Sequence, residues 1–106
     1  MKANFNKHTR YITRGIETEM PLALQVFLWQ CIDDCKAEGL SLDYLQVFKF
    51  ERATKNLYTI IHTQEKPKRM LVYYPTFEIG VQDVVDKTVF VIDDGDHSTM
   101  LFAEEY

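Results

Sequence analysis

The segment Pro21–Gly39, PLALQVFLWQCIDDCKAEG, limits what this chain can fold into more than any other stretch. It alone reads as a long helix. Pro21 suits a first helical turn, where its missing N–H would have had no partner. Gly39 stands where a left-handed residue closes a helix. Glu17 and Glu19 lie near the positive end of the dipole and Lys36 near the negative end. At roughly 100° per residue, Leu24, Phe27, Leu28, Cys31, Ile32 and Cys35 form one stripe, the face expected to meet a core. The opposite side is also apolar at its start, because Leu22, Val26 and Trp29 align one above another. A patch of that kind in water marks an interaction site. Leu22, Val26 and Trp29 are therefore read as an interaction surface, covered by another part of this chain or by a second chain.

After the helix the pattern changes to short strands. Arg10–Glu17 already reads as a first strand, with Gly15 marking a bulge or the close approach of another backbone. Asp43–Arg52 and Lys55–Glu65 read as two more, joined by a turn at Ala53-Thr54. Met70–Tyr74 follows a turn around Lys66-Pro67-Lys68, which completes an antiparallel meander. Residues 75–86 have no clean period and are read as a loop with at most a short helical turn. KTVFVI and STMLFAEE then flank an Asp-Gly turn, the strongest hairpin signal in the chain. With Asp94-Gly95 as a two-residue loop, Val89, Val91, Met100 and Phe102 share one face, and Phe90, Ile92, Leu101 and Ala103 the other. Both faces are apolar, so both need cover. One helix of about 18 residues is about 27 Å long and covers one face. The expectation is an α+β fold, with one long N-terminal helix on a twisted, mainly antiparallel five- to six-stranded sheet, and a homodimer to cover the rest.

The 106 residues suit one domain, 1–106, with residues 1–9 expected as a loose N-terminal arm. The net charge of −4 argues against a duplex-binding protein, whose affinity rests on a basic surface. Apolar runs such as Val26-Phe27-Leu28-Trp29 are far short of a membrane span. The start MKANFNKHTRYITRG lacks a signal-peptide core and the end AEEY lacks a lipidation signal, so the chain reads as cytoplasmic. Cys31 and Cys35 sit four apart on one helix face, with Cβ atoms about 6 Å apart, beyond disulfide reach. They are read as reduced core residues.

The segments RYITRGI, MPLALQVFLWQCID, LDYLQVFKF, IIHTQEKP and VFVIDDGDHSTMLFAEEY, in this order, resemble a small family of uncharacterised Gram-positive bacterial proteins, a staphylococcal-type domain of unknown function. The resemblance spans nearly the whole chain. It implies a cytoplasmic bacterial protein whose domain is complete in about this length, and it carries no activity and no site residues.

The acidic loop Asp93-Asp94-Gly95-Asp96-His97 is the best candidate for chemistry. Its carboxylates and imidazole suit a hard divalent cation or an acid and a base, although the spacing does not match an EF-hand. Asp residues also favour turn geometry for local backbone reasons, and that plainer reading is preferred. His62 ends a strand and would join Asp93, Asp96 and His97 in one polar site if the hairpins met. Tyr44, Phe48 and Phe50 share a strand face and could stack RNA bases, as could Tyr73 and Tyr74, but core packing explains them better. No nucleophile–base order, phosphate loop or cofactor motif is present, and no cofactor or metal is assigned. The reading is a non-enzymatic protein-interaction module that self-associates. A small metal-dependent enzyme or metal-binding protein using the acidic loop is the alternative, and RNA binding ranks third.

Overall fold

The computed structural model describes residues 3–52, 54, 58–75 and 86–106. The elements are β1 (Arg10–Ile12), α1 (Arg14–Glu19), α2 (Leu22–Ala37), β2 (Leu45–Arg52), β3 (Tyr58–Glu65), β4 (Lys68–Tyr73), β5 (Thr88–Asp93), β6 (Ser98–Phe102) and a closing 3-10 turn, Ala103–Glu105. The strands form one six-stranded sheet in the order β1-β6-β5-β2-β3-β4. Every pairing is antiparallel except β1 with β6. The class is thus α+β, with a mixed six-stranded sheet and two helices rather than one.

The extra helix corrects the reading of Arg10–Glu17 as a strand. The strand stops at Ile12 because the Thr13 hydroxyl takes the N-cap position and accepts the Ile16 N–H at 3.4 Å. Ile16 and Met20, four residues apart, then point into the core. The β-branched residues that suggested a strand serve a cap and a helix instead. Gly15 marks a close approach, but of a side chain. A Cβ there would stand 2.5 Å from the Glu105 carboxylate.

α2 follows its sequence signals. Pro21 is the N-cap, the Glu38 N–H bonds Asp34 O, and Gly39 follows with φ +77°. Leu24, Leu28, Cys31, Ile32 and Cys35 are buried, as the stripe predicts. They pack with Phe48, Phe50, Ile60, Val89, Val91, Met100 and Phe102, the inward positions of β2, β3, β5 and β6. Ile16 and Met20 of the α1 region join the same cluster, so both helices lie on one face of the sheet.

The β5–β6 hairpin has a different loop from the one expected. Asp93 pairs with Ser98, which leaves Asp94–His97 as a four-residue loop closed by Asp94 N–H on His97 O at 3.0 Å. A shift of two residues keeps every side chain on its predicted face, because the strand period is two. Ala103 alone leaves the face, having entered the 3-10 turn. Glu65 pairs with Lys68, so Lys66-Pro67 forms the β3–β4 turn as expected, with a cis bond before Pro67. The Ala53-Thr54 turn and the 75–86 loop fall almost wholly outside the described residues.

The N-terminal arm is not loose over its described part. Phe5 is fully buried in the core. Asp93 Oδ2 accepts the N–H groups of Asn4 and Phe5 at 2.8 and 3.0 Å. Ala3 N–H bonds Leu42 O, and Arg10 donates to Phe5 O. A lone Phe among polar neighbours gives no periodic signal, so its role was invisible in the sequence.

Candidate functional site

The polar residues on the inner face come together at one end of the sheet. Gln46 on β2 and Gln64 on β3 face inward with His62, all three buried. The Gln64 amide nitrogen donates to Ser41 O and Pro67 O, and its oxygen accepts the Asp43 N–H. Gln46 Nε2 donates to Asp43 O and to Gln64 Oε1 at 2.9 and 2.8 Å. All of those acceptors are oxygens, so the Gln46 amide is fixed with Oε1 towards His62 Nε2 at 2.6 Å. His62 must therefore carry its proton on Nε2 and leave Nδ1 bare. Nδ1 is buried without a partner among the described residues. The ring stacks on Phe48 at a centroid distance of 4.2 Å. Burial, reinforced by the Arg69 charge, lowers its pKa to about 4. This network holds the Leu40–Asp43 connection under the sheet.

His62 does not join the acidic loop. β2 lies between β3 and β5, and His62 is level with Phe48, whereas Asp93 lies past the level of Leu45. The loop's carboxylates are already engaged. Asp93 holds Asn4, Phe5 and, through Oδ1, the Gly95 N–H at 2.9 Å. Burial opposes its ionisation, but those N–H donors outweigh it and hold the carboxyl below its usual range. Asp94 accepts the Asp96 and His97 N–H groups and pairs with the His97 ring at 3.0 Å. Asp96 is exposed. Among the described residues no three His, Cys, Asp or Glu side chains form a group able to hold a metal ion.

The line Leu22, Val26, Trp29 divides. Leu22 and Val26 are 73% and 57% exposed. Trp29 is half-buried, and its ring is covered from within the chain by the Arg10 guanidinium, 4.7 Å from the centroid. Asp33 holds that guanidinium through both carboxylate oxygens, at 2.5 and 3.1 Å. The thiols lie on the core face. Burial pushes Cys31 up to about 12, against the Tyr73 hydrogen bond that favours its ionised form, and burial also raises Cys35. Neither is a nucleophile at neutral pH. Phe48 and Phe50 are buried, so no aromatic platform is presented on their strand face, and only Tyr44 and Tyr74 of the aromatic candidates are exposed.

Among the described residues no helix of the core cluster packs on the outer face of the sheet. Leu101, Phe90, Val47, Thr63 and Met70 form one cross-strand row over five strands. Thr88, Lys49, Ile61 and Val72 form the adjacent row on one side, and Thr99, Ile92 and Leu45 the row on the other. Met70 is 65% exposed and Val72 41%, while Leu101 is almost covered and Phe90 is touched at its edge by Tyr106. A shallow cleft of about 550 Å³ lies on this face, lined by Tyr44, Leu45, Val47, Lys49, Thr63 and Lys68 among others. The strand alternation predicted this two-sided apolar sheet. Among the described residues both helices lie on the other side.

The sequence model of a family described as "Staphylococcal protein of unknown function (DUF960)" matches residues 9–105. The chain belongs to this family. A crystal structure described as that of a protein of unknown function from Enterococcus faecalis superposes with a TM-score of 0.80 at 23% identity. The match covers 100% of this chain and 98% of that one, so the fold is shared from end to end. No curated protein sequence matches the chain. For this DUF960 chain the family and the fold are thus fixed, and the function has to be argued from its surfaces.

Proposed function

We propose that this DUF960 protein is a non-enzymatic interaction module of the bacterial cytoplasm that self-associates. One observation carries the reading: both helices lie on one face of the sheet, and the other face presents Leu45, Val47, Phe90, Ile92, Met70 and Val72. Met70 and Val72 are exposed and the other four half-buried, and a contiguous, partly exposed apolar surface of that kind is characteristic of an interface. The titratable groups favour the same reading, because Asp93, Asp94 and Glu105 are engaged in holding backbone and His62 is stacked in the core. Two buried, unpaired thiols suit a reducing compartment. Among the described residues no helix is long and apolar enough to cross a membrane. Leu22 and Val26, on the opposite side of the molecule, form a smaller patch available to a different protein partner.

Light scattering coupled to size exclusion tests the proposal over a wide concentration range. The expected mass is twice the 12.5 kDa of one chain, falling on dilution. A mass of one chain at every concentration refutes self-association.

A further inference from the structure

We propose that the N-terminal arm is exchangeable: residues 3–9 leave their own sheet end, and the arm of a second copy takes the same place. Each core is then completed by Phe5 of the other chain. The exchange involves the end of the sheet, not its outer face, and goes beyond the reading above without depending on it.

The arm crosses one end of the sheet and is folded on itself as it does so. Ala3 N–H bonds Leu42 O at 3.3 Å, Asn4 and Phe5 are held by Asp93 at the end of β5, and Thr9 O accepts the Ser98 N–H at 2.9 Å. Arg10, Ser98 and Asp93 are level across β1, β6 and β5. From Phe5 to Arg10 the chain thus crosses two strand spacings, about 10 Å. Five residues reach about 17 Å when extended. Two features take up the difference. Phe5 has φ +46°, in the left-handed region that a bulky side chain rarely enters. Asn6–Thr9 is a tight turn, with Thr9 N–H on Asn6 O at 3.3 Å and His8 N–H on Asn6 Oδ1 at 2.9 Å.

The contacts that hold the arm do not require it to be the chain's own. Phe5 fills the core, Asp93 takes two of its N–H groups, Leu42 takes a third, Arg10 donates to Phe5 O, and Lys7 stands 4.0 Å from Asp33. The arm of a second copy offers the same groups to the same partners. What exchange changes is the connection. An arm that runs straight into another copy drops the turn, and Phe5 returns to an ordinary φ. Relief of such strain is worth roughly 5- to 150-fold in an equilibrium constant, and it occurs twice per dimer. Short connections under strain favour exchange for this reason. Opposing it is the tether, which holds each arm beside its own core at an effective concentration on the order of millimolar. The balance falls in about the micromolar range. Reach permits the exchange, because Asp93 and the start of β1 share one end of the sheet. Two copies apposed at that end bring each arm within its extended length of about 17 Å of the other's core.

The test varies the connection in the full chain. Wild type and two hinge variants are refolded from urea at high and at low concentration, then diluted and measured by light scattering. An exchanged dimer formed at high concentration should persist through dilution, because its return requires two buried Phe5 side chains to leave their cores. A Gly-Ser-Gly insertion between Lys7 and His8 relaxes the turn and should shift the equilibrium at least tenfold towards monomer. Deletion of Lys7 and His8 leaves about 10 Å of reach at full stretch, with no length for a turn, and should make the persistent dimer predominate. Lys7 and His8 are exposed, and melting curves confirm that the variants fold. Wild type that is monomeric after refolding at every concentration overturns the exchange. A dimer of the same mass and lifetime in wild type and both hinge variants overturns it too, while leaving self-association through another surface standing.

Discussion

Acidification should weaken this fold in a pH window set by one residue. His62 is 3% exposed, stacked on Phe48, and donates its Nε2 proton to Gln46, so its neutral form is the one the core accepts. Its pKa in the folded chain is lowered to about 4 from an ordinary 6.5. The unfolded chain therefore binds a proton near pH 6.5 that the folded chain refuses until near pH 4. Stability is full above about pH 6.5, falls by up to about 1.4 kcal/mol per unit below it, and levels off below about pH 4. The total reaches about 3 kcal/mol, a large share of the margin of a chain this size. Asp93 and Glu105 have lowered pKa values, so their contribution is lost only at more acidic pH, below the ordinary 3.8 and 4.5. Urea titrations at pH 7.5, 6.5, 5.5 and 4.5 separate the windows. His62→Gln should be less stable at pH 7.5, yet lose much less than the wild type between pH 6.5 and 4.5. Parallel losses in the two proteins would refute the assignment of that window to His62.

Two further outcomes follow from the packing. Gly15→Ala should lower stability by about 1–2 kcal/mol, although Ala is the better helix former, because its Cβ displaces the Glu105 carboxylate from Thr13, Gly15 and Phe102. Placed on a Glu105→Ala background the same change should become neutral or stabilising, and a double-mutant cycle by thermal melting reads the difference. Phe5→Ala should cost about 3–5 kcal/mol, as for any fully buried Phe, and thermal melting measures it; a change under about 1 kcal/mol would mean that the arm does not complete the core.

The fold was legible where one signal acted alone. The α2 stripe, the meander and the faces of the β5–β6 hairpin all follow from periodicity, and even a wrong loop length left the faces right. It was not legible where two signals competed. Ile12, Thr13 and Ile16 read as a strand by β-propensity, but Thr13 caps a helix whose N-terminal turn is completed by Glu105, about ninety positions later. The partner of Trp29 was hidden for the same reason: Arg10 and Asp33 stand far apart in sequence, and nothing local links them. The acidic loop misled because residue type shows what a side chain can bind, not what it already holds. Gln46 and Gln64 were within reach of sequence reasoning, since strand alternation puts both on the face of Phe48 and His62, where a buried amide needs partners.

The distribution of engaged and unengaged polar groups bears directly on the function. Asp93 ties down the arm, Asp94 closes its own loop, Glu105 caps α1, Gln46 and Gln64 hold the Ser41–Asp43 backbone, and Asp33 sets Arg10 over Trp29. Each such group already holds hydrogen bonds of the fold, so recruiting it for catalysis would break them. Lys49, Glu65 and Lys68 have no such duty among the described residues, and all three flank the apolar rows of the outer face. Free charges around an apolar field have the form of an interface, with a dry centre and a charged rim that sets orientation. That arrangement is why the open sheet, rather than the acidic loop or the helix, is where recognition is expected to occur.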